Sequence, residues 1–287
     1  MSTPLERRFA GRTLVVATMH GKERAIGPAL AERLPLAGWR VVQGLDTDRF
    51  GTFSGEVRRE RSPRDSAEAK ARAALELGHD LVVASEGSFG PHPVVPFVSC
   101  DEEWLVLVDA VHGAVHEQRL LALETAHAGR ACASLEELAA FVEGAPFPAH
   151  ALVLRPREVL APGDELHKGI TDRAELERRA RELLHRHGGL WVEVDLRAHH
   201  NPTRMAVIER TARALAAELA TPCPRCAEPW FRVVEHVPGL PCSDCGTPTE
   251  STRALRRACA SCAHSTLEPR ADGRTREAPM HCPECNP

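Results

Sequence analysis

The sequence predicts an α/β fold: a mixed sheet flanked by helices, followed by a small C-terminal double zinc-ribbon domain. Three observations carry this. Short apolar runs alternate with stretches of helical period from residue 13 to residue 220. Several of the apolar runs end in polar or glycine-bearing loops. Eight of the ten cysteines fall in four Cys-x-x-Cys pairs between residues 223 and 285. The expected division is an α/β catalytic or ligand-binding domain over residues 1–220 and a double zinc ribbon over 221–287.

The elements follow in order. "TLVVATMH" (13–20) is a strand, and a helical stretch follows within "KERAIGPALAERL", where Pro28 blurs the start. "WRVVQGLD" (39–46) is a second strand. Residues 62–78 form a helix, with Ser62 as N-cap, Pro63 in the first position and Gly78 at the end. "DLVVASEGSFG" (80–90) is a buried strand running into a glycine loop. "VVPFVS" and "EWLVLVDAVHGAVHEQRLLAL" read as antiparallel strands. Helices are expected at 134–144 and 171–189, and a strand at 150–156. A strand at 190–198 then leads into a long helix at 202–220.

Composition narrows the function. The chain is 43% hydrophobic and 26% charged, which is ordinary for a globular protein. A net charge of −4 supplies no basic field for nucleic acid or anionic lipid. No apolar run reaches membrane-helix length, and "MSTPLERRFAGRTLVVATMH" does not read as a signal peptide. The expected location is cytoplasmic.

In that setting the cysteine pairs read as metal ligands rather than disulfides. Four successive pairs are also poor candidates for redox dithiols. Fifteen residues separate the first two pairs and nineteen the last two. Both spacings suit zinc ribbons, in which two tight turns each offer two thiolates to one ion. The expected assignment is sequential: Cys223, Cys226, Cys242 and Cys245 at one site, Cys259, Cys262, Cys282 and Cys285 at the other. An interleaved pairing, first pair with third, stays open. Zinc would supply on the order of 10 kcal/mol or more of folding energy per site. From residue 219 onward eight Arg meet eight acidic residues, so a protein-docking or scaffold role is favoured over nucleic-acid binding.

Candidate chemistry gathers at strand ends, where open α/β sheets bind ligands. In "WVEVDLRAHHNPTRM" (191–205), alternation places Glu193, Asp195, Arg197 and His199 on one face. His200 follows, then Asn201 as N-cap and Arg204 in the first helical turn, an arrangement suited to an anion. Glu193, Asp195, His199 and His200 are the catalytic candidates. The plainer reading is a solvent-facing strand with compensating ion pairs. "MHGKE" contributes His20 and Lys22, "SEGS" contributes Ser85, Glu86 and Ser88, and "HKGI" contributes Lys168. Only three lysines, Lys22, Lys70 and Lys168, stand among 36 basic residues, and all three lie in these stretches or the helix between them. Asp46 and Asp48 read as ligands or loop caps. "DEE" (101–103) reads as hairpin surface.

Together "ATMHGKERAIGPAL", "DTDRFGTFSGEV", "ASEGSFGPHP", "VEVDLRAHHNPTRM" and "CPECNP" resemble an uncharacterised bacterial family, a domain of unknown function. The succession "KERAI", "SAEAKARAA", "VVASEGSFG", "EEWLVLVD" is also similar, more distantly and over residues 13–110, to inosine/xanthosine triphosphate pyrophosphatases. That likeness implies Lys22 and Lys70 at phosphate and Glu86 at Mg²⁺. The early loop departs from it, with His-Gly in place of an Asn-bearing turn.

The expected function is a metal-dependent hydrolase of a phosphate-containing small molecule, a nucleotide in the most concrete form. Mg²⁺ or Mn²⁺ would sit in the α/β cleft on some of Glu86, Glu193 and Asp195. Lys22, Lys168 and Arg204 would neutralise phosphate, and His199 or His200 would act as acid or base. The rival expectation is a non-catalytic protein that senses a nucleotide or anion and docks a partner through its zinc ribbons.

Overall fold

The computed structural model describes residues 2–53 and 55–287; Ser54, within "DTDRFGTFSGEV", lies outside them. The chain divides into two compact units.

The larger unit, residues 11–32 and 36–215, contains two sheets. After α1 (Pro4–Phe9), which belongs to the other unit, come β1 (Thr13–Ala17), α2 (Glu23–Ala31), β2 (Gly38–Val41) and α3 (Pro63–Leu75). β3 (Leu81–Pro91), β4 (Ser99–Asp109) and β5 (Ala114–Ala122) complete a five-stranded sheet of order β2-β1-β3-β4-β5. It is mixed: β1 pairs in parallel with β2 and β3, whereas β4 and β5 add antiparallel.

The second sheet has order β6-β9-β7-β8 and is antiparallel throughout. Its strands are β6 (Gly129–Cys132), β7 (Leu152–Arg155), β8 (His167–Ile170) and β9 (Leu190–Val194). α4 (Leu135–Gly144) and α5 (Arg173–His187) pack on it, and α6 (Pro202–Ala220) leaves its last strand.

Local sequence explains these boundaries. Ser62, Ser134 and Asp172 each accept a hydrogen bond from the backbone three residues on, capping α3, α4 and α5. Gly188 ends α5 at φ 71°, a left-handed conformation that glycine adopts without a Cβ penalty. α3 packs an alanine face (Ala67, Ala71, Ala74) against Val82, Ala84, Val106 and Val108. Side chains this small let the helix lie close to the sheet, which brings Lys70 of the same face down to it. The α5 face, Leu176, Ala180 and Leu183, closes over Leu152, Leu154, Val192 and Val194.

Several expectations are corrected. The strand expected at 190–198 ends at Val194, and residues 198–200 form a single 3-10 turn, so His199 and His200 are not on a strand face. The strand expected at 39–46 ends at Val41. "HKGI", the source of Lys168, is strand β8. "DEE" is not hairpin surface: Asp101 and Glu103 are fully buried. On β4 their side chains share the inward face, while Glu102 between them points the other way.

The second unit holds α1, residues 33–35 and everything from residue 216 onward. Its sheet is an antiparallel three-stranded one: β10 (Arg232–Pro238), β11 (Thr252–Ala258) and β12 (Ser265–Pro269). One apolar cluster of this unit is small, formed by Phe231 with the buried thiols of Cys223 and Cys259. Among the described residues no helix is long and apolar enough to cross a membrane.

Candidate functional site: a cation-rich cleft and two four-cysteine groups

The cleft of the larger unit is built where β1 ends beside the middle of β3. Val15, Val16 and Ala17 pair with Val82, Val83 and Ala84, so the segment after Ala17 emerges level with Ser85 and Glu86. Gly21 turns the chain at φ 70°, and its missing Cβ would lie 3.5 Å from His199 Cβ. The "HGK" turn therefore meets the "HHN" turn directly. The rings of His20 and His199 stack at 5.2 Å, and His199 and His200 lie 4.1 Å apart.

One pocket takes in His20, Lys22, Lys70, Glu86, Lys168, Arg197 and Arg204, together with Asp48, Glu56 and Phe53. All three lysines of the chain thus line it. Glu193, Asp195 and Ser88 line a neighbouring cleft of about 530 Å³, walled by Phe53, Phe89, His127 and Trp191. Phe53 and Arg197 border both.

Almost every cation here is paired with a carboxylate, Lys70 and Arg59 sharing Glu86. Lys70 Nζ donates to Glu86 Oε2 at 2.5 Å, and Arg59 to Glu86 Oε1 at 3.1 Å. Arg204 meets Glu103 at 2.5 Å, Arg197 meets Asp195 at 2.6 Å, and Lys168 meets Glu56 at 2.5 Å. Arg155 takes Glu193 at 2.6 Å.

Lys22 is different. It is 5% exposed, and its ammonium donates to the backbone oxygen of Ser85 at 3.1 Å, with no carboxylate among the described residues in ion-pair contact. Burial, and then the nearby Arg204 charge, push its pKa down to about 7. Around it, Arg204 Nη2, Ser85 Oγ and Glu103 Oε2 are buried without a hydrogen-bond partner among the described residues, as are the Asp101 oxygens.

The electrostatics follow from this crowding of cations. Burial works against the charge on Glu86, but Lys70, Lys22 and Arg59 outweigh it and hold the carboxyl down to about 2. Asp101 has no such partner. Both its carboxyl oxygens are buried without a hydrogen bond among the described residues, and burial followed by the Glu103 charge raises it to about 8. His199 is driven down to about 4 by burial and by its neighbours His200 and His20. His20 Nε2 lies 2.9 Å from Asp48 Oδ1.

Three expected roles change. Asn201 caps α6 as expected and is thereby withdrawn from ligand binding: its Oδ1 accepts from Arg204 N, and its Nδ2 donates to Asp195 O. The first turn of α6 is likewise satisfied internally, because Thr203 N donates to His150 Nε2 and Met205 N to Asn201 O. The helix start is therefore not an open anion seat. The carboxylates expected to hold Mg²⁺ or Mn²⁺, Glu86, Glu193 and Asp195, are each ion-paired. Among the described residues, groups of three or more metal-capable side chains occur only at the cysteines.

Sequence reasoning missed Arg59, Phe53, Asp101 and Glu103. Arg204 and Arg59 both stack on the Phe53 ring, each at 4.4 Å. Gly87 shows why that corner is tight: a Cβ there would lie 2.3 Å from Glu103 Oε1 and 2.8 Å from Arg204 Nη2. A usable signal was present in the alternation of "DEEW", which places Asp101 and Glu103 together on one strand face.

The cysteines form two groups that could hold metal ions, and the pairing is interleaved. Cys223 and Cys226 join Cys259 and Cys262, while Cys242 and Cys245 join Cys282 and Cys285. This corrects the sequential assignment. Facing thiols lie 3.7 and 3.6 Å apart in the first group and 3.9 and 3.5 Å in the second. A tetrahedral zinc–thiolate site has sulfur–sulfur edges of about 3.8 Å, so the donor sets fit. The physical reason for the interleaving is β10–β11 pairing: Arg232 faces Ala258, which brings the turn after Thr221 beside the turn at Cys259.

No curated protein matches the chain. Among solved structures, the crystal structure of protein VC0702 from Vibrio cholerae is 14% identical, covering 72% of this chain and 93% of that one at a TM-score of 0.32. A family described as a domain of unknown function, DUF6671, matches residues 70–287, so that cleft residues from Lys70 onward and both four-cysteine groups lie within it, and the chain belongs to that family.

Proposed function

We propose that the cleft binds a phosphate-bearing small molecule, a nucleotide in its most concrete form. The observation that carries this is Lys22, a buried cation with no carboxylate of its own, beside an unpartnered Arg204 Nη2. A buried charge without a partner is costly, and an anion seated between these groups would supply one. The adjoining cleft with its aromatic wall would take the organic part of the ligand.

A second reading, hydrolysis of the bound phosphate ester, is favoured by His20, oriented by Asp48 and stacked on His199 at the same pocket. A divalent ion would have to compete with Lys70, Arg59 or Arg197 for the cleft carboxylates, so the hydrolytic reading ranks below simple binding. We infer structural zinc in the two four-cysteine groups, since four thiolates leave no open coordination position. Eight reduced thiols suit a reducing compartment such as the cytoplasm. Docking of a partner protein through this unit belongs to the sensing version of the reading.

The test is a panel of nucleoside triphosphates and inorganic pyrophosphate with Mg²⁺ or Mn²⁺, scored for phosphate release and for thermal stabilisation. Lys22→Met protein of intact zinc content is run beside the parent. Stabilisation of the parent alone supports binding, and release supports turnover. Neither effect would remove the anion-site reading.

A further inference from the structure

We propose that the cleft takes up its anion together with a proton, and that Lys22 Nζ is the atom that receives it. This rests on the anion-site reading and deepens it. Lys22 is sealed, with one backbone acceptor and no ion-pair partner among the described residues, while Lys70, Lys168, Arg59, Arg197 and Arg204 each hold a carboxylate. An ammonium so placed loses hydration without gaining a counter-charge, so the empty cleft favours the neutral amine.

The surroundings point the same way. Arg204 from α6 and Lys70 from α3 repel a charge on Lys22; Glu86 of β3 and Glu103 of β4 attract it, but both are already committed to other cations. Asp101, the other nearby acid on β4, stays protonated near neutrality. Around the rest of the pocket stand His20, Asp48, Glu56, Lys168 and Arg197. An arriving phosphate would supply the missing negative charge, and the amine would then bind a proton from solvent.

The sign of the effect is fixed. With a pKa of about 7 in the empty cleft, Lys22 is mostly charged at pH 6 and mostly neutral at pH 8. Binding then costs a proton at high pH, so affinity falls as pH rises through 7 and beyond. At pH 5.5 the proton is already in place and no uptake occurs at this residue.

The experiment is calorimetry of inorganic pyrophosphate binding to the full-length, zinc-loaded protein, in two buffers of different ionisation enthalpy. The parent is compared with Lys22→Arg, whose guanidinium stays charged. Taking the difference cancels the ionisation of pyrophosphate and of the cleft histidines. The parent is expected to take up about three quarters of a proton more than Lys22→Arg at pH 7.5, and no more at pH 5.5. Should Lys22→Arg fail to fold, thermal stabilisation by sulfate replaces it, because the charge of sulfate does not change from pH 5.5 to 8.5. That stabilisation, measured in Asp101→Asn protein so that the raised Asp101 carboxyl does not titrate in the same window, should weaken between pH 7 and 8.5, above the histidine range. Binding with equal uptake in parent and variant, or sulfate stabilisation that is flat over that range, overturns the proton proposal and leaves the anion site standing. No binding of pyrophosphate at any pH removes the anion site and this proposal with it.

Discussion

Arg204 Nε and Glu103 Oε1 lie 2.5 Å apart, on side chains 1% and 0% exposed, and so join α6 to the inward face of β4. The Arg204 Nη1 also donates to Leu196 O at 2.6 Å. The pair therefore ties the chain leaving the second sheet to the first sheet, and it does so under the lysine pocket.

Breaking that pair leaves one buried charge without a partner. Glu103→Gln is expected to destabilise the protein by about 3–5 kcal/mol, measured by urea unfolding. Changing both residues to Met should recover most of the loss. A double variant as unstable as the single one would mean that packing, not charge, dominates the corner.

Gly87→Ala places a methyl group within contact distance of both partners. It is expected to cost about 1–3 kcal/mol and to weaken anion binding, because Arg204 must move. Unchanged stability would show that the guanidinium has room to yield.

Asp101 is raised from the usual carboxylate range to about 8 in the folded protein. Its folded pKa lies above its unfolded one, so the native state binds the extra proton and stability is lost as pH rises from about 4 towards 8. Asp101→Asn removes this titration. Its stability relative to the parent should therefore grow steadily between pH 5 and pH 8 in denaturant unfolding; a constant difference would show that Asp101 ionises normally.

Glu56 rests on Lys168 at the pocket mouth with both side chains partly exposed. Glu56→Gln frees Lys168 for an incoming anion. Affinity for pyrophosphate should rise about two- to fivefold, in line with the small worth of an exposed pair. A fall in affinity would place the ligand elsewhere.

The interleaved cysteine pairing can be read by cadmium NMR. Two resonances are expected in the cadmium-loaded protein. Replacing Cys226 or Cys262 by Ser should shift the same one, and replacing Cys245 or Cys285 the other. Shifts shared instead by Cys226 and Cys245 would restore the sequential assignment.

Much of this architecture is legible in the chain itself. Ser62-Pro63 marks the start of α3, and the alternation from Leu190 to Val194 marks β9, because caps and period-two burial are local effects. The rarity of lysine pointed to three positions that the fold brings to one pocket. What escaped was set by contacts distant in sequence. Asp101 and Glu103 look like surface acids until Arg204, about a hundred residues on, covers them. The pairing of the cysteines was hidden for the same reason: spacing within a pair fixes a turn, but only the β10–β11 register decides which turns meet.

The interleaving also governs how the C-terminal segment can be divided. The span of chain closed by either four-cysteine group contains a cysteine pair of the other, so no single cut divides the segment into two halves that each keep an intact group. A shortened chain ending after Cys245 would hold four thiolates drawn from two different centres, and could bind metal only in a non-native arrangement. The segment therefore does not split into two self-sufficient ribbons: a cut can spare one group only by dismantling the other.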